Sequence, residues 1–302
     1  MADCTLCPRK CHANRREGET GFCGQTASLR AARAALHDWE EPCISGANGS
    51  GAVFLGGCNL GCIFCQNYDI ALGQTGKELS VTRLSEIFLE LQDKGAHNIN
   101  LVTPTHFIPQ ICLALDAAKK QGLTLPIVYN TGSYEEVSSL QLLDGLIDIY
   151  LPDFKYYSAQ NAIRFAHAHD YFEKATLALE EMYRQVGKPL FDQTSGLMRR
   201  GMLVRHLVLP GQISETKKIL RYLHQTFGNH IYISILNQYT PMPRLSLPEN
   251  LVSFSDINRS VTAEEYQRVL TFADAIGIEK GYIQEGDTVG ESFIPPFTCE
   301  GL

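Results

Sequence analysis

Ala52-Val53-Phe54-Leu55-Gly56-Gly57-Cys58-Asn59-Leu60-Gly61-Cys62-Ile63-Phe64-Cys65 is the stretch on which the reading of this chain turns. Its first four residues are apolar and end at a glycine pair, the pattern of a short buried strand. The loop behind them carries Cys-x3-Cys-x2-Cys. Gly57 and Gly61 let the backbone curl tightly, so the three thiols can converge on one metal centre. A structural zinc asks for four protein ligands, and a closed iron–sulfur cluster asks for four thiolates. Three thiolates leave one iron of a cubane open, which is what a reactive metal site needs. The bland alternative is a buried cysteine-rich turn, or a zinc loop that borrows a distant ligand.

Outward from this loop the chain alternates. Apolar strands are expected at 98–102, 126–129, 146–151, 202–209 and 231–236. Helices are expected at 83–94 (capped by Thr82), near 107–121, at 134–143, over 158–186 with a break near His169-Asp170, from a Ser214 cap to about 226, and at 261–276. Six strands alternating with helices point to βαβ units, because parallel neighbours need a crossover. The class is α/β, a partial (βα)6 TIM-like barrel with an N-terminal Cys-rich extension. Residues 1–50, irregular in pattern, form that extension; 51–245 form the barrel, and 246–302 a C-terminal helix and tail, with loop from Gly281 onwards. Ligands of parallel sheets sit at the carboxyl ends of strands, so chemistry is sought just after each strand.

The 302 residues are 44% hydrophobic and 20% charged, ordinary globular composition. Net charge is −7 with no long Lys/Arg run, which argues against nucleic acid or an anionic membrane as partner. No apolar stretch is long enough to span a bilayer. Met1-Ala2-Asp3-Cys4 lacks the features of a signal peptide, so a cytoplasmic protein is expected. In a reducing compartment, ten cysteines point to metal or to chemistry rather than to disulfides. Cys43, Cys112 and Cys299 stand alone and read as incidental thiols.

The Cys58–Cys62–Cys65 spacing after a first strand resembles the signature of the radical S-adenosylmethionine (SAM) superfamily. That resemblance implies a [4Fe–4S] cluster on these cysteines, with SAM chelating the fourth iron. Reductive cleavage would then give a 5′-deoxyadenosyl radical that abstracts a hydrogen atom. Phe64 matches the motif's aromatic place near the adenine. The likeness is greatest to the pyruvate formate-lyase activating enzyme-like branch, which implies a glycyl radical enzyme as partner and an electron donor such as flavodoxin or ferredoxin. In that branch Asn130-Thr131-Gly132 resembles an Asp-Thr-Asn-Gly element, with Asn130 replacing its acid. Asp153-Phe154-Lys155 resembles Asp-Leu-Lys, which implies that Asp153 orients groups around SAM and that Lys155 meets the SAM carboxylate or substrate. Thr103-Pro104-Thr105-His106 departs from the usual Gly-Gly-Glu; Thr103 or Thr105 would take over its role, while His106 caps or contacts. Arg205, in an Arg-x-x-x-x-Pro-Gly strand, would pair with a SAM or substrate carboxylate, or else form a salt bridge inside the barrel. Asn237-Gln238-Tyr239 would line the pocket.

Cys4, Cys7, Cys11 and Cys23 form a second set of four thiols, enough for a zinc or a second iron–sulfur centre; the alternative is a set of reduced thiols on a covering segment. Three functions remain: activation of a glycyl radical enzyme, radical chemistry on a small molecule in a pocket finished by the tail, or a non-catalytic iron–sulfur carrier or redox sensor. The last has no use for a missing fourth ligand.

Overall fold

The computed structural model describes residues 2–71, 75–284 and 295–302. Among them one sheet holds β1 (Leu29–His37), β2 (Ser50–Leu55), β3 (Lys77–Leu79), β4 (Ile99–Val102), β5 (Ile127–Thr131), β6 (Ile149–Pro152), β7 (Leu190–Phe191), β8 (Met198–Leu207), β9 (Tyr232–Leu236) and β10 (Gly281–Ile283). Their order is β10-β9-β8-β6-β5-β4-β2-β1-β3, with β7 on β8. From β2 to β10 the path is parallel throughout, and the six expected strands stand in sequence order in it. This is the partial barrel expected.

Strand alternation decides what faces inward. Val53 and Leu55, Ile99 and Leu101, Ile127 and Tyr129 are buried in one cluster with Leu84, Ile87, Phe88 and Leu91 of helix Val81–Asp93 and with Ile111 and Leu115 of helix Ile108–Lys120. Each such side chain is worth about 1.5–3 kcal/mol of burial. Their alternates, Phe54, Asn100, Val102 and Asn130, point to the barrel interior, where the polar ones find partners described below.

Several expected boundaries shift. Ser80, not Thr82, caps the first long helix, its hydroxyl accepting from Arg83 N at 3.0 Å. Gln212 precedes helix Ile213–Phe227, which puts Ser214 inside its first turn. The stretch 134–143 yields only the turn Val137–Leu140 and a 3-10 turn after it. Two stretches expected to be irregular are strands. β1 is alanine-rich, with poor intrinsic strand preference; pairing with β2 on one side and β3 on the other makes it a strand. β10 is only three residues and carries no periodicity, but it pairs with β9. The last residues lie along β1: Cys299 N donates to Ala32 O at 3.0 Å and Ala34 N to Glu300 O at 2.8 Å. Among the described residues no helix is long and apolar enough to cross a membrane.

Candidate active site

The cysteine loop is fixed from three sides. Gly56 N donates to Arg30 O at 2.9 Å, and His106 Nε2 hydrogen-bonds Gly56 O at 2.6 Å. Asn59 Nδ2 donates to Tyr134 O at 2.6 Å, and Ile63 N to Phe165 O at 2.9 Å. Gly57 has φ +87°, and a Cβ there would stand 2.5 Å from Gln25 Cγ and 2.6 Å from Cys23 O. Only glycine lets the amino-terminal segment press against the loop at this point. Cys58, Cys62 and Cys65 all line one cavity of about 230 Å³. Burial, aided by the other two thiols, pushes the Cys65 thiol up to about 12. Tyr156 OH donates to Cys62 Sγ at 3.2 Å.

Across the cavity the strand ends bring together a charged network. Asp153 receives Lys155 Nζ on one oxygen and Arg205 Nε on the other, both at 2.7 Å. Arg205 Nη1 donates to Glu40 at 2.7 Å and Nη2 to Asn130 Oδ1 at 2.6 Å. Glu40 Oε1 accepts from Asn100 at 2.9 Å and Asn130 at 3.2 Å. Two cations face two carboxylates, so the set is neutral as a whole. The flanking cations hold the Asp153 carboxyl below its usual value against the opposing effect of burial. Arg205 thus forms the salt bridge inside the barrel that the sequence allowed. Glu40 and Asn100 carried no signal in sequence. Glu40 lies beyond β1, in a segment read as irregular, and only the antiparallel turn of β1 carries it back under the barrel.

The remaining candidates divide. Phe64 lines the cavity and packs edge-on against Tyr156, Phe165 and Tyr239. Thr103 also lines it, at φ +57°, a rare conformation for a β-branched residue and one that concentrates at functional sites. Gln238 reaches the wall, whereas Tyr239 is buried with its hydroxyl on Ile257 O at 2.7 Å. Thr105 points away, donating to the buried Glu135 at 2.7 Å. His106 lies outside the cavity lining; burial lowers it to about 4, so it stays neutral and braces the loop through Gly56.

The amino-terminal thiols gather beside this loop, Cys4, Cys7 and Cys23 buried and Cys11 exposed. Burial pushes the Cys7 thiol up to about 12, with Cys23 and Cys4 adding to the rise. Arg9 donates to Asn59 O at 2.8 Å and Ala166 O at 2.7 Å, and Arg15 to His106 O at 2.7 Å. The two arginines therefore stitch the extension to the loop and its brace. Among the described residues no three His, Cys, Asp or Glu side chains converge to grip a single ion, in either thiol set. A cubane is wider than an ion and holds its thiolates further apart.

Comparison with known proteins meets this geometry from outside. The family model of the radical SAM superfamily matches residues 53–223, more than half of the chain. The uncharacterized protein MJ0674 of Methanocaldococcus jannaschii is 26% identical over 291 residues, which cover 93% of this chain and 77% of that one. Of solved structures, a radical SAM methyltransferase from Sphaerobacter thermophilus is similar with a TM-score of 0.52 and 14% identity, over 78% of this chain and 66% of its own. HydG, a maturase of the [FeFe]-hydrogenase, gives 0.51 and 15%, over 76% and 50%. The chain spans less than two thirds of either structure, and at these identities the likeness is one of fold. The family match begins inside β2, the strand that delivers the three-thiol loop, and runs across the strands that build the facing network: this chain belongs to the radical SAM superfamily.

Proposed function

We propose that the chain is an enzyme that holds a [4Fe–4S] cluster on Cys58, Cys62 and Cys65, seats SAM against the facing polar network, and directs radical chemistry at a small molecule. The superfamily implies the cluster and SAM. The observation that carries the assignment to these residues is a shared cavity: the three thiols, Phe64, Thr103, Asn130, Asp153, Lys155 and Arg205 all line it. The donor set suits a cubane with one open iron, since the three thiols line one cavity and no fourth cysteine is among its described lining residues. Tyr156 donates to Cys62 sulfur as a hydroxyl would to a thiolate. The chemistry supplied there is one-electron cleavage of the sulfonium to a 5′-deoxyadenosyl radical, with flavodoxin or ferredoxin as the electron's source.

The chain's own residues bind and orient. Lys155 presents an ammonium beside Asp153 for the SAM carboxylate, and Asn130 offers amide contacts. Phe64 packs its ring at the cavity wall for the adenine. Hydrogen bonds to cluster sulfurs raise the reduction potential. Tyr156→Phe is therefore expected to shift the cluster's midpoint to a lower value in a redox titration followed by electron paramagnetic resonance; an unchanged midpoint would argue against this contact.

Activation of a glycyl radical enzyme, the partner implied by the activating-enzyme resemblance, is the second reading. It requires a protein loop to enter the cavity. The tail favours the small molecule, because Pro295 lines the cavity and Phe297 packs against Phe54 in its wall. We further assign Cys4, Cys7, Cys11 and Cys23 to a second metal centre on the extension, on the ground that the four thiols lie near one another beside Arg9 and Arg15; as placed, no three of them grip a single ion, which suits a cubane better than zinc.

Anaerobic reconstitution with iron and sulfide, then reduction with SAM present, tests both assignments. The expected product is 5′-deoxyadenosine, with about four irons per chain for one cubane or about eight for two. One zinc beside four irons would identify the second centre as zinc. An iron signal indifferent to SAM would overturn the proposal.

A further inference from the structure

We infer that a side chamber off the cluster cavity is the substrate's recognition subsite, that Glu41 is its specificity-determining carboxylate, and that it takes a cationic nitrogen, a protonated amine or a guanidinium. The inference deepens the proposed enzyme function and rests on it.

The chamber, about 220 Å³, lies between residues 38–42 and the strands β9 and β10. It shares Trp39, Glu40, Arg205, Leu236 and Gln238 with the cluster cavity, so the two spaces adjoin. Glu41 lines the chamber and is only 7% exposed, yet among the described residues neither carboxylate oxygen has a partner in hydrogen-bonding geometry, and the Ser234 hydroxyl nearby offsets its burial only in part. Buried polar groups in folded proteins are nearly always paired, and an orphan asks for an explanation.

Charge count supplies one. Lys155 and Arg205 are matched by Asp153 and Glu40, and each nitrogen centre of Arg205 is already engaged. Among the described residues of the chamber wall no cation is left over for Glu41, and the neighbouring Glu40 repels it. Burial accordingly pushes its carboxyl above the usual range, the opposing pull of Arg205 notwithstanding. The backbone holds the group in place: Ile44 N and Ser45 N donate to Glu41 O at 2.7 and 3.0 Å, and Pro42 follows directly. An anion entering here would meet three carboxylates, Asp38, Glu40 and Glu41. A neutral group would leave the charge unmet. A cation satisfies both oxygens, and the rings of Trp39 and Tyr282 in the chamber wall add aromatic faces that favour it.

The test uses the reconstituted full-length protein with SAM present. Calorimetry at fixed ionic strength would compare butylammonium with butanol, and N-acetyl-lysine methylamide with its norleucine counterpart. Each cation is expected to bind more tightly than its neutral match, and Glu41→Gln to weaken that binding about tenfold or more, as losing one partner of a buried charge pair does. Because the carboxylate is unmet in the free protein, Glu41→Gln is expected to melt no lower than wild type, which a merely structural glutamate would not allow. Binding of butylammonium alone marks a small amine; binding of the lysine derivative as well marks a side chain on a peptide. Either supports the subsite. Equal binding of charged and neutral probes, no binding at all, or indifference to Glu41→Gln overturns it. The radical SAM assignment fails separately, if the wild-type cluster signal ignores SAM.

Discussion

Cys62→Ala is expected to yield a folded protein that neither retains a [4Fe–4S] cluster nor forms detectable 5′-deoxyadenosine. Cys62 is the most enclosed of the three thiols, 6% exposed and hydrogen-bonded by Tyr156. Loss of a partner outside the ligand shell typically costs about 10–100-fold in metal affinity or activity, and removal of a ligand from a set of three must cost more. Cys112→Ala supplies the control, since that thiol stands on helix Ile108–Lys120 with its Sγ near Leu142 O and away from the cavity. The measurements are iron content, the absorption of the reconstituted protein, and product by mass spectrometry. A Cys62→Ala protein that still cleaves SAM at a wild-type rate would remove this loop from the chemistry.

The loop and the barrel were legible in the sequence for a shared reason. Buried parallel strands must be apolar runs of a few residues, and a three-cysteine loop has few physical uses. Ala52-Val53-Phe54-Leu55 and Ile231–Leu236 therefore announce themselves. β1 does not, because Leu29–His37 is mostly alanine and arginine and owes its strand state to β2 and β3. Glu40 and Glu41 were hidden with it. They depend on β1 running antiparallel to the barrel, and no local pattern encodes where the chain goes after such a strand. Conversely, His106 looked chemical by type and position, but burial leaves it neutral against a backbone carbonyl. Residue type nominated Asp153, Lys155 and Arg205 as contacts of SAM, and all three line the cavity; no pattern in the sequence discloses that they and Glu40 balance one another.

That balance makes the loss of Arg205 costly to stability. Arg205→Leu would leave Glu40, 8% exposed, and Asp153, 25% exposed, without the guanidinium that joins them. Breaking one side of a buried ion pair costs about 3–5 kcal/mol, because the surviving charge stays desolvated. For a chain of this size that corresponds to a melting temperature lower by on the order of 10 °C. Arg205→Lys should recover little of the loss, since an ammonium cannot reach Asp153, Glu40 and Asn130 at once as the planar fork does. The pH dependence gives an independent sign. In the wild type Asp153 sits below its ordinary value, so its contribution is fully present above about pH 4 and is lost only as pH falls through the depressed folded value. In Arg205→Leu, Asp153 keeps Lys155, whereas the buried Glu40 is left with only the Asn100 and Asn130 amides, and burial then favours its neutral form. The variant should then gain stability as pH falls from about 7 to about 5, where the wild type gains none from this site. Adding Glu40→Gln to Arg205→Leu should return part of the lost stability by removing one stranded charge. Melting curves of the single and double variants at the two pH values decide the matter: equal stability for Arg205→Leu and wild type, or a double variant less stable than the single one, would mean that the network contributes nothing to holding the barrel interior together.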